Sequence, residues 1–119
     1  MASELRVNTL KDAAGNNSIA TSFVANGSAK VWACIDGTGT VNLRDSFNAA
    51  SLTDGGTGIY NVTYTSAMSN DDYAHPLGGG ASDFVFTRST TEIQVKSFSV
   101  SGNAADVDPE TFAIFGDLA

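Results

Sequence analysis

At 119 residues the chain is about one domain long, and six Lys or Arg against thirteen Asp or Glu leave a formal charge of −7. No basic stripe is present to displace counterions from phosphates, which argues against nucleic-acid binding and against docking on an anionic membrane. The hydrophobic content of 42% is that of a globular protein, and plentiful Thr, Ser, Val, Asn and Gly favour strands joined by tight turns.

The first segment, SELRVNTLKDAAGNNSIATSFVA, holds two short apolar alternations around the turn signal AAGNN. Leu5 and Val7 share one face of a short strand, and Ile19 begins a second. ANGSA, Ala25 to Ala29, reads as a turn or linker. So few apolar groups cannot form a core of their own. Residues 1–29 are therefore expected to be an attachment or oligomerisation arm, with Leu5, Val7 and Leu10 as its contact residues. The polar start MASELRVNTLKD does not resemble a secretory leader, and no run approaches membrane-spanning length. Synthesis in a cytoplasm, with no membrane insertion, is the expectation.

Residues 30–119 read as one β-domain. KVWACI alternates Val31, Ala33 and Ile35 against Trp32 and Cys34; DGTGT is a turn; VNLRDSF resumes with Val41 and Leu43 on one face, giving a hairpin. Cys34 is the single cysteine and reads as a buried small hydrophobe, without an intrachain disulfide. NAASLTDGGTG reads as a long, turn-rich connection. In YNVTY, Tyr60, Val62 and Tyr64 share a face while Asn61 and Thr63 point the other way. MSNDDYAHPLGGGASD is the least regular segment. Pro76 and Gly78 to Gly80 exclude a central strand there, though a short one around Tyr73 is compatible. Phe84 and Phe86, then Ile93, Val95, Phe98 and Val100, then Phe112, Ile114 and Phe115 mark the last strands. The expected fold is all-β, an antiparallel β-sandwich of about six to eight strands with a short N-terminal β-arm and no convincing helix.

Few residues are suited to chemistry. His75, the single histidine, sits beside Pro76 in a loop, with nothing in the sequence to tie it to a nucleophile and a supporting carboxylate. Carboxylates cluster at Asp71-Asp72 and at Asp106, Asp108 and Glu110. These residues fit either a hard-cation site, a glycosidase pair or solvated loop charge. No calcium-loop signature is present, so solvated charge is expected, with no metal, no cofactor and no enzymatic activity. Tyr60, Tyr64 and Tyr73 are open to two readings: a sugar-stacking surface, or core and cross-strand positions.

Five motifs taken together carry a resemblance: AKVW (29–32), GTGTV (37–41), SFN (46–48), SLTDGGTGIYNVTYTSAM (51–68) and FAIFGD (112–117). The chain resembles, over most of its length, tail fibres and related appendage proteins of tailed bacteriophages, most of all those of marine and cyanobacterial phages. The resemblance implies a trimeric β-rich module, similar in some members to H-type lectin sandwiches. It implies a virion protein, assembled noncovalently as a homotrimer with other virion proteins, that contacts surface glycans of the host. On this view MSNDDYAHPLGGGASD is the loop displayed at the tip, with Asn70, Asp72, Tyr73 and His75 as receptor contacts. The same module also suits a capsid decoration protein or a tail adaptor anchored by its arm.

Overall fold

The computed structural model describes residues 2–80 and 82–119. In chain order its elements are β1 (Thr9–Leu10), β2 (Ile19–Ala20), α1 (Thr21–Gly27), β3 (Ala29–Asp36), β4 (Asn42–Phe47), β5 (Ala49–Gly56), β6 (Ile59–Tyr64), β7 (Leu77–Gly78), β8 (Ser82–Arg88), β9 (Glu92–Phe98) and β10 (Glu110–Phe115). β1 and β2 form a small hairpin. The remaining strands form two antiparallel sheets, β4-β3-β10-β7 and β5-β6-β9-β8.

Period-two alternation builds both sheets. Val31, Ala33 and Ile35 of β3 point inward with Phe112 and Ile114 of β10, while Tyr60, Val62 and Tyr64 of β6 face them together with Ile93 and Val95 of β9. The two inward faces share one apolar core, completed by Met68 and Tyr73 from the β6–β7 connection. Each fully buried Val or Ile in it contributes about 1.5–3 kcal/mol. Trp32 and Cys34 lie on the outer face of β3. Cys34 is therefore half-buried and not in the core as expected, because its register follows Trp32.

Two turns show why particular residues are needed. After β3, the Asp36 carboxylate accepts from the Thr38 amide at 2.9 Å and the Thr38 hydroxyl at 2.7 Å, closing the turn locally. Gly37 is packed so closely that a Cβ there would lie 2.0 Å from the Tyr60 hydroxyl. Between β4 and β5 the chain leaves one sheet for the other at Asn48, which adopts a left-handed φ of 58°. Its side chain fixes the corner, accepting from the Ser66 amide at 2.7 Å and donating to the carbonyls of Lys30 and Ser66 at 3.1 and 3.0 Å.

Two elements differ from the expectation. Residues 49–56, read as a connection, form β5, paired with β6 along its length. Only Ala49 and Leu52 of β5 pack on the core, so the strand carries little apolar alternation to betray it. Residues 21–27, read as strand and linker, form the roughly two turns of α1. It has no side-chain N-cap, and the Ser28 amide closes on the Val24 carbonyl at 3.1 Å.

The strand registers define two ends. Ala29 pairs with Phe115, Tyr64 lies beside Ala49, and Arg88 pairs with Ile93 at the end where the arm joins. Asp36, Ile59, Ser82, Phe98 and the start of β10 lie at the opposite, distal end. The molecule measures 54 × 31 × 25 Å with a radius of gyration of 17.1 Å, above the roughly 13–14 Å of a compact chain of this length. The arm projects from the β-domain.

Candidate functional site

The β6–β7 connection carries the candidate contact residues, and it is pinned more firmly than its sequence suggests. Met68 is buried and its amide donates to the Thr90 carbonyl at 2.8 Å; the Ser69 amide donates to Asp117 at 2.8 Å. Ala74 bridges to Phe115. Tyr73, expected to face solvent, is only 5% exposed. Its hydroxyl sits 3.0 Å from the Tyr64 hydroxyl and donates to the Ser89 carbonyl at 3.0 Å, and burial pushes the pKa of both phenols up. Tyr73 is thus an anchor in the core. Tyr60 and Tyr64 are buried with it, which removes all three tyrosines from any sugar-stacking surface.

Asn70 and Asp72 are exposed, with the Asn70 side chain accepting from the Asp72 amide at 2.9 Å. They lie at the end of the β-domain where the arm joins. The adjacent Thr65 and Ser66 bond to Asn48, which bonds to Lys30, whose ammonium caps the Ser28 carbonyl at 2.7 Å. Residues 69–73 therefore flank the arm. The distal end is formed by the turns around Gly37, Thr57, Gly79 and Ser101, which are rich in Thr, Ser, Asn and Gly.

His75 is half-buried and joins a groove along the open side of the domain. This groove runs between the two edge strands β7 and β8 and is lined by His75, Leu77, Asp83, Val85 and Arg88. The Arg88 guanidinium donates to His75 Nε2 at 2.8 Å and lies 5.7 Å from the centroid of the Tyr73 ring. The Arg88 guanidinium thus occupies the end nearer the arm, and the Asp83 carboxylate occupies the distal end. On the outer face of the same edge, Phe84 stacks on Phe98 at 5.4 Å, and Lys96 Nζ stands 5.7 and 5.4 Å from the rings of Phe86 and Phe98. Phe84 and Phe86 remain exposed, although the sequence reading placed them among the strand-marking apolar residues. Asp83, Val85 and the strand partner Val95 take the inward row, leaving the phenylalanines outside.

The distal end holds an unexpected acid pair. Glu110, read as solvated loop charge, is 0% exposed because it shares the inward register of Phe112 and Ile114. Among the described residues neither of its oxygens meets a donor. Desolvation, followed by the charge and hydrogen bond of Asp83, pushes its pKa up to about 8. A raised pKa keeps Glu110 as the neutral acid near neutral pH, beside Asp83, whose Oδ1 accepts from the Gly80 amide at 3.1 Å. Asp108 is instead paired with Arg44, which also reaches Asp36 at 3.2 Å. Among the described residues no cluster of three or more His, Cys, Asp or Glu side chains is placed to hold a metal ion.

The arm presents the opposite situation. No residue from 2 to 28 is buried. Leu5 is 81% exposed and Phe23 71%, and Val7, Leu10, Ile19 and Val24 are exposed with them. A searched set of family models, curated proteins and solved structures yields no match to the chain.

Proposed function

We propose that the protein is a structural module of a phage virion, a homotrimeric β-sandwich of tail-fibre or spike type that carries no enzymatic activity. The arm joins it to other chains, and the domain is presented to the host surface. One observation carries this reading: six large apolar side chains of the arm are exposed, with nothing among the described residues to cover them. Leaving such groups in water forgoes about 25 cal/mol per Å² of burial, and clustered exposed apolar residues mark an interaction surface. The motif resemblance to phage appendages supports the same reading. With the arm as the attached end, the distal turns face outward. Their Thr, Ser and Asn side chains are suited to hydrogen-bonding the hydroxyls of surface glycans. Asn70 and Asp72 then belong to the attached end.

The test is the mass of the purified chain in solution beside that of a chain lacking residues 2–28. A full-length trimer and a folded monomeric deletion support the proposal; a full-length monomer removes its oligomeric core. The exposed Phe23 and Val24 of α1 also suit the second reading, a capsid decoration protein or tail adaptor. That reading predicts a monomer that binds particles only when its arm is intact.

A further inference from the structure

β8 is an edge strand. Among the described residues its backbone hydrogen bonds run only to β9, so its other side presents open donors and acceptors. Such an edge is a template for an added strand. Along it lie an exposed aromatic row, Phe84 and Phe86, and a groove acidic at Asp83 and cationic at Arg88. Among the described residues, residues 2–7 of the arm have no strand partner, and they alternate in the same way: Leu5 and Val7 on one side, Glu4 and Arg6 on the other. Among the described residues Glu4 and Arg6 pair with each other alone, at 2.9 Å on the exposed surface, which contributes little.

We propose that the arm of one copy lies antiparallel along the β8 edge of a second copy, with Leu5 against Phe86, Val7 against Phe84, Arg6 toward Asp83 and Glu4 toward Arg88. The inference rests on the oligomeric reading above and supplies its contact. Charge fixes the direction: a parallel arm would bring Glu4 to Asp83 and Arg6 to Arg88. The same antiparallel course gives cross-strand apolar pairs, each worth about 0.2–1 kcal/mol, and satisfies backbone groups now left to water. Arm and edge are different surfaces, so the contact is head-to-tail, and it closes into a ring when the rotation between copies is one third of a turn. The arm projects from the β-domain, and a second copy is the recipient.

Cys34 is the single cysteine, so a Cys34→Ser chain is a clean background for cross-linking. Chains bearing Leu5→Cys are mixed with chains bearing Phe86→Cys and oxidised gently, with Val100→Cys, a 96% exposed distal position, replacing Phe86→Cys as control. Light scattering gives the mass of each preparation. The expected result is a Leu5–Phe86 disulfide between chains, far above the Leu5–Val100 level. Combining Glu4→Arg with Arg88→Glu should restore assembly that either change alone weakens. An oligomer that forms no Leu5–Phe86 disulfide, or only Leu5–Leu5 disulfides, overturns the arm-to-edge contact while leaving the trimer standing. A monomer under all conditions overturns both.

Discussion

Raising the pH from about 4.5 to about 8 is expected to weaken the native chain steadily, and to leave a Glu110→Gln variant almost unaffected. The Glu110 carboxyl titrates near 4.5 in an unfolded chain and near 8 in the fold. Between these values the folded state holds a proton that the unfolded state has lost, so unfolding releases that proton and is favoured by each step upward in pH. Stability is thus full below the unfolded pKa and is lost as pH rises toward the folded one. The slope is about 1.4 kcal/mol per pH unit, and the whole loss is on the order of 4 kcal/mol. Against a typical domain stability of about 5–15 kcal/mol that is a large share. In urea it corresponds to a midpoint lowered by roughly 2 M for an m-value near 2 kcal/mol/M. Asp36 does not confuse the result. Hydrogen bonds from Thr38 pull its pKa below 3.8, so its contribution disappears only as pH falls beneath this window. In Glu110→Gln the amide is neutral at every pH and carries no titrating proton. Urea denaturation followed by circular dichroism at several pH values reads the slope. A flat native profile, or an equal slope in the variant, would refute the assignment of a buried protonated Glu110.

Three further outcomes follow from the packing. Gly37→Ala places a methyl 2.0 Å from the Tyr60 hydroxyl and 2.7 Å from the Val107 carbonyl; a destabilisation of about 1–3 kcal/mol or more is expected by urea titration, partly relieved by adding Tyr60→Phe. Asn48→Ala loses the three bonds that tie the sheet corner to Lys30 and Ser66 and strains a left-handed φ. It should cost about 2–3 kcal/mol, with Asn48→Gly less harmful because only the bonds are lost. Tyr73→Phe removes the hydroxyl shared by Tyr64 and Ser89 and should cost about 1–3 kcal/mol, whereas a surface role for Tyr73 predicts a change within about 0.5 kcal/mol.

Strand alternation made most of the core legible. Val31, Ala33 and Ile35, like Tyr60, Val62 and Tyr64, are buried on the face their spacing indicated. Glu110 was legible in the same way, two residues before Phe112 on one face of β10, but its charge argued for solvent and outweighed the register. Tyr73 is a lone aromatic in a polar run, so no period marks it as an anchor. β5 is nearly all polar because both its faces meet water over most of its length. The exposed Phe84 and Phe86 depend on which way β8 faces, and that is settled only by its pairing with β9. The position of residues 69–73 beside the arm depends on strand order across two sheets, which no local pattern encodes.

Light scattering on the purified protein decides whether the arm joins chains. The account predicts a mass three times the 12.3 kDa of one chain, falling to one chain when residues 2–28 are removed and the β-domain stays folded. A full-length protein that remains at one chain mass at its highest soluble concentration would contradict it.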